Sequence, residues 1–168
     1  MAAVSLWDLA ESARARVKEE ASKRPGVVQE LMLLLGECPS GPTTNMEEVT
    51  HWKIVFNDFP APTDNESPEE VELWSYEADG DTSTGEINDI EVHQEEFLGN
   101  SAIHGTVTMT PEEAFKILCQ YRQKEEPFQW VSLRLPPSSG HVGYNFLYDP
   151  LGNKGWAVNI DNRKVINW

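Results

Sequence analysis

The residues of this sequence best suited to act on something outside it are carboxylates. Between Lys53 and Lys116 there is no Lys or Arg, and the intervening residues 54–115, 62 in all, hold 16 Asp and Glu. Within that interval Glu70, Glu72, Asp79, Asp81 and Glu86 stand close to two large aromatics, Trp74 and Tyr76. Carboxylates gathered in one region steer a cationic protein toward the surface and suppress wrong partners. Aromatic side chains are the usual anchors inside such a contact. These seven residues are therefore the candidate partner-binding set. The bland alternative is a solvated acidic face that only keeps the protein soluble.

Other chemistry is poorly represented. The stretch Asp79-Gly80-Asp81-Thr82-Ser83-Thr84-Gly85-Glu86-Ile87 suggests a calcium loop, but Gly85, Ile87 and Glu91 each fall one position late for an EF-hand. It reads as an acidic β-turn. His51, His93, His104 and His141 form no HxH, HExxH or Cys/His zinc spacing. There is no GxSxG, P-loop or GxGxxG. Ser138, Ser139 and His141 are sequence neighbours, whereas catalytic triads assemble across a fold. Cys119 lies on the apolar side of a helical pattern, which suits a buried, inert thiol. No catalytic residue, metal or cofactor is expected, and the reading leans away from an enzyme.

Composition narrows the partner. The chain of 168 residues carries 28 acids against 13 bases, a formal net charge of −15. Phosphate backbones and anionic membranes are held through Lys and Arg, so nucleic acid and membrane surfaces are excluded as expected partners. No run of 18 apolar residues is present. Met1–Glu20 is amphipathic and charged, unlike a signal peptide. The expected location is cytoplasmic, with secretion the alternative if a signal peptide has been removed. Cys38 and Cys119 are then reduced thiols in the first setting and a disulfide candidate in the second.

The elements that must position these groups follow from periodicity. Ser5 with Asp8 caps a helix whose apolar side is Leu6, Leu9, Ala10, Ala13, Val17 and Ala21, ended by Pro25-Gly26. Val27–Leu35 is too apolar for a surface helix and must be buried. Trp52, Ile54 and Phe56 alternate as a strand; Val71–Tyr76 marks a second and Ile87–Val92 a third, with Asp79–Gly85 the turn between them. Thr110-Pro111-Glu112-Glu113 is a capping box with proline at the first helical position. Alternating runs Gln129–Leu135, Val142–Tyr148 and Trp156–Ile160 follow, with Asp149–Asn153 a hairpin turn and Val165–Trp168 a last short strand.

The pattern predicts an α+β fold of antiparallel sheet packed against two or three helices. It is one domain over 1–168. Two halves, 1–99 and 106–168, each read as a helix followed by three strands, a possible pseudo-duplication. Thr110-Pro111-Glu112-Glu113-Ala114, Tyr144–Tyr148, Trp156-Ala157-Val158-Asn159-Ile160-Asp161 and Lys164-Val165-Ile166 resemble PepSY-type modules. Those are small helix-plus-sheet units associated with proteases as propeptides or inhibitors. The resemblance covers Thr110–Trp168, departs from the pattern where Asn162-Arg163 replaces the usual glycine, and transfers no functional residue.

Two functions are compatible with these readings. The first is an acidic, non-enzymatic binding protein, an inhibitor or immunity-type module engaging a cationic protein. The second is a small-ligand or enzymatic domain with a pocket beside the aromatic stripe of Tyr144, Phe146, Tyr148, Trp130 and Trp156. A convex acidic patch would favour the first, and a deep cleft with converging polar groups the second.

Overall fold

A helix leads into four consecutive antiparallel strands, and then a second helix leads into four more. This is a computed structural model; it describes residues 4–62, 72–147 and 155–167, without the Asn167 side chain. The helices are α1 (Leu6–Ala21) and α2 (Pro111–Arg122). The strands are β1 (Val27–Glu37), β2 (His51–Pro60), β3 (Ser75–Asp81), β4 (Glu86–His93), β5 (Trp130–Arg134), β6 (Gly143–Leu147), β7 (Trp156–Asn159) and β8 (Val165–Asn167). They form one sheet in the order β4-β3-β2-β1-β5-β6-β7-β8, every neighbour antiparallel. Two meanders thus join along one central ladder, β1 against β5.

The expectation of sheet packed on two or three helices is corrected by this sheet-dominated architecture. The buried stretch Val27–Leu35 is the central strand β1, so two helices remain, and each half carries four strands rather than three. A strand paired on both edges and apolar on both faces leaves no period to read. Its Leu31 and Leu34 join the main core, while Met32 and Leu33 belong to a smaller cluster with Val55, Phe59, Phe97 and Ala102.

Both helices lie on one face. Register places Leu34, Ile54, Ala78, Leu133, Tyr144 and Val158 on that side, in a single core with Leu9, Ala13 and Val17 of α1 and Ala114, Phe115 and Leu118 of α2. Phe115, Phe128 and Phe146 meet edge-on or tilted at centroid distances of 4.9–5.4 Å. Ser5 and Thr110 cap their helices as expected; at Thr110 the box is complete, its Oγ1 accepting from Glu113 N and Glu113 Oε2 accepting from Thr110 N. The hairpin turn read at Asp149–Asn153 lies outside the described residues.

Asp79-Gly80-Asp81 belongs to β3, not to a turn as its composition predicted. The turn is Thr82–Gly85. Gly80 is there because α1 passes so close: a Cβ would sit 2.9 Å from Leu9 Cδ2 and 2.8 Å from Ile87 Cδ1. The β3–β4 register slips between Ala78 and Gly80, and Arg16 of α1 donates to the Ile87 and Asn88 carbonyls at that irregularity, fixing the helix to the sheet edge.

Candidate functional site

The face opposite the helices is where the carboxylates gather. Side chains alternate across a strand, so residues two apart share a face. On β2 that face carries His51, Lys53 and Val55; on β3 Glu77, Asp79 and Asp81; on β4 Glu86 and Glu91. Their register is direct: His51 opposes Asp81, Lys53 opposes Asp79, Glu77 opposes Glu91, and Asp81 opposes Glu86. Like charges in direct cross-strand opposition repel, and the Lys53 ammonium and the His51 and His93 imidazoles lie among them. Lys53 Nζ lies 2.5 Å from Glu77 Oε2, and His51 Nε2 lies 3.3 Å from Asp81 Oδ2. The hydrogen bond to Glu77 raises the Lys53 pKa against the opposing effect of burial, keeping the ammonium charged. Asp81 is held below the usual carboxylate range chiefly by the Ser83 hydroxyl, then by the Ser83 backbone N–H and His51. Asp79 and Glu86 are exposed and outside these pairs, and Glu91 is exposed with His93 Nε2 at 4.0 Å.

A groove of about 300 Å³ runs beside this patch, bounded by Glu37, His51, Lys53 and Asp79, with Leu35 and the half-buried Trp130 as its apolar part. Trp130 reaches the same face because β5 pairs it with Glu37. The arrangement is an apolar centre with a charged rim, the usual anatomy of a protein interface.

The candidate residues divide. Asp79, Asp81 and Glu86 come together on the open face. Glu72 is exposed just before β3, and Glu70 lies outside the described residues. Tyr76 and Trp74 belong elsewhere. Tyr76 is 0% exposed and its hydroxyl donates to Asp58 Oδ2, so it is a core group and cannot anchor a partner. Trp74 is half-buried, with the Arg24 guanidinium 4.0 Å from its ring centroid. Trp130, Glu77 and Glu91 were not in the expected set. Strand alternation between Lys53 and Glu91 was the available signal, and it was hidden by reading Asp79–Gly85 as a turn.

Other candidate chemistry resolves into structure. Glu77, Glu91 and His93 bring one ligand atom each within 4.8 Å of one another, yet Lys53 already bonds Glu77 there. Ser139 Oγ donates to backbone carbonyls of Pro136 and His141, not to the imidazole. Cys38 and Cys119 are unbridged, and burial pushes the Cys119 thiol up, away from the reactive thiolate. Tyr144 and Phe146 are buried toward α2, and Trp156 is covered by Arg122 at 4.4 Å and Tyr121 at 5.8 Å. Tyr144, Phe146 and Trp156 therefore pack on the helical side, whereas Trp130 faces the groove on the other face; Tyr148 lies outside the described residues. On the helical side a cleft of about 450 Å³ opens where the two helix N-termini converge, with Trp7, Met46 and Met109 in its walls and Glu47 and Glu112 at its rim. Ser5 and Thr110 engage N–H groups at those termini themselves.

No helix among the described residues is long and apolar enough to cross a membrane. Comparison with known protein families finds no match. Comparison with curated proteins also finds none. Among solved structures, the chain is similar to a crystal structure of a candidate lipoprotein from Clostridium difficile, at a TM-score of 0.52 and 11% identity. The match covers 93% of this chain and 88% of that one. At that identity it is the fold that is shared.

Proposed function

We propose that this chain is a non-enzymatic binding protein, of inhibitor or immunity type, whose open face over β2–β4 receives a basic segment of another protein. The observation that carries the reading is the register of Glu77, Asp79, Asp81, Glu86 and Glu91 on one face, beyond the end that the Phe97–Ala102 segment covers at Val55, and next to a groove with Leu35 and Trp130 in it. Lys53, His51 and His93 lie against Glu77, Asp81 and Glu91, which leaves Asp79 and Glu86 to face a partner's Lys or Arg. Steering of this kind acts on the association rate and weakens with salt. Trp130 supplies the aromatic anchor that Trp74 and Tyr76 were expected to supply.

The PepSY-type resemblance of the second half belongs with an inhibitory role. A reducing, cytoplasmic setting fits the unbridged Cys38 and Cys119, whereas the description of the structural neighbour as a lipoprotein points toward a cell surface. The test is affinity capture from the source lysate at low and high salt, using the wild-type chain and an Asp79→Asn/Glu86→Gln/Glu91→Gln variant. The expected result is a defined basic protein held by the wild type at low salt, released at high salt and lost by the variant. Equal capture by both chains, or nothing basic captured, rejects the reading.

A further inference from the structure

We propose that the outer edge of β4, at Ile90–His93, takes an extended basic segment of the partner protein as a further, antiparallel strand of the sheet. The proposal rests on the binding role argued above and adds how the partner docks.

Strand β4 ends the sheet, with β3 on one side and no strand on the other among the described residues. Which of its backbone groups are free follows from the pairing one strand further in. In an antiparallel pair, residues that exchange hydrogen bonds alternate with residues that do not. Asp58 N donates to Trp74 O at 2.8 Å and Thr82 N donates to Thr50 O at 2.9 Å, one step beyond either end of the β2–β3 register. Tyr76, Ala78 and Gly80 therefore bond toward β2, and Ser75 and Glu77 bond toward β4. The residues opposite those two are His93 and Glu91. The N–H and C=O groups of Ile90 and Val92 consequently point away from the sheet. No hydrogen bond from the described residues reaches them.

The first half of the edge is closed, because Arg16 donates to the Ile87 and Asn88 carbonyls. The open half has side chains that suit a strand. Ile90 and Val92 lie on the helical face, across from Ala78 and Tyr76, and Val92 is 40% exposed. Glu91 lies on the other face with its side chain 72% exposed. An added strand would lay apolar residues beside Ile90 and Val92 and a Lys or Arg beside Glu91. Main-chain hydrogen bonds then give affinity, and the alternating side chains select the sequence.

Charge decides the occupant. Asp89, Glu91, Glu95 and Glu96 are exposed along and just beyond this edge, while Arg16 is held at its closed half. A second copy of the chain would bring carboxylates against the same carboxylates, and like charges so placed repel. Charged side chains guard an edge against its own kind in this way. They attract a strand of opposite sign.

The test is NMR hydrogen exchange and titration of the full chain with an end-blocked Lys-Val-Lys-Val-Lys-Val peptide. In the free chain the Glu91 and His93 amides should exchange slowly and those of Ile90 and Val92 fast. The peptide should slow Ile90 and Val92 at least about tenfold. Methylating the valine nitrogens removes the donors that face Ile90 and Val92, and should weaken binding at least about tenfold. Methylating the lysine nitrogens, which face away, should leave it unchanged. Val92→Pro removes one outward N–H without touching the β3 ladder, and should weaken the parent peptide while leaving the melting temperature close to that of the wild type. If that variant folds poorly, the two methylated peptides still decide. Equal binding of those two, or no protection of Ile90 and Val92, overturns the proposal. Protection that rises with chain concentration in the absence of peptide makes the occupant a second copy and overturns it too. The binding role fails separately: peptides that bind equally to the wild type but are lost by the Asp79→Asn/Glu86→Gln/Glu91→Gln variant would sink the edge and keep the acidic face.

Discussion

Arg24 and Asp58 form an ion pair at 2.8 Å in which the carboxylate is completely buried. Arg24 follows α1, and Asp58 lies in β2, so the pair closes one end of the helix onto the sheet. Asp58 accepts in addition from Gln29 Nε2 at 2.9 Å, from Tyr76 Oη at 3.3 Å and from Trp74 N at 3.3 Å. The guanidinium lies over the rings of Trp74 and Tyr76 at 4.0 and 5.3 Å. A buried charge stripped of its partner is expensive, about 3–5 kcal/mol. Arg24→Ala and Asp58→Ala should each lower unfolding stability by an amount of that order in urea titrations. The double variant should cost less than the sum, because neither charge is then left alone.

Alkaline pH should unfold the protein through Tyr144. Its hydroxyl donates to Met109 O at 3.0 Å, and burial, with Glu112 and Glu113 nearby, holds its pKa well above the ordinary tyrosine range. The folded state thus keeps a proton that the unfolded state gives up near pH 10. The stabilisation is complete below that pH and falls away as pH rises from there toward the folded value. Phenolate absorbance should rise together with loss of structure, and Tyr144→Phe should flatten the pH dependence while lowering stability at neutral pH.

The acids on the open face should matter for association and little for stability. Asp79→Asn, Glu86→Gln and Glu91→Gln are surface changes, expected within about ±0.5 kcal/mol each. Removing Lys53 has the opposite sign. Lys53→Met leaves Glu77 opposed by Glu91 with only the His93 imidazole beside them, and should destabilise by about 0.2–1 kcal/mol, more at low salt than at high. Thermal unfolding at two ionic strengths separates the two effects.

Gly80→Ala tests the close approach of α1. The new methyl would press on Leu9 and Ile87, and a shift of helix or strand should cost about 1–3 kcal/mol. Leu9→Ala in the same chain should relieve part of that cost, an interaction that a double-mutant cycle measures.

Much of the scaffold was legible in the residues. Both capped helices, β2, and the strands from Trp130 onward follow from capping chemistry and period-two alternation, because one face is apolar and the other mostly polar or small. Two places resisted. Val27–Leu35 lost its period because apolar neighbours lie on both sides of β1. Asp79-Gly80-Asp81 carries turn composition within a strand because packing against α1 demands a residue without a side chain. That second misreading obscured the candidate site, since moving the turn changes which carboxylates share a face. Tyr76 misled for another reason: alternation alone cannot say which side of a strand the helices will cover. The outward amides of Ile90 and Val92 carry no sequence signal, as they depend on which hydrogen bonds the fold leaves unmade.

The β1–β5 ladder has a consequence for how the molecule comes into being. Every other strand pairing joins strands consecutive in the chain, whereas Leu35 must find Ser132 across most of the chain. Loops of that length close slowly and contribute cooperativity only once closed. Until they close, each meander presents an unpaired rim along its first strand, sticky toward any similar rim. During synthesis the first meander emerges with β1 bare well before β5 exists, so that strand is the place where two nascent copies would exchange partners.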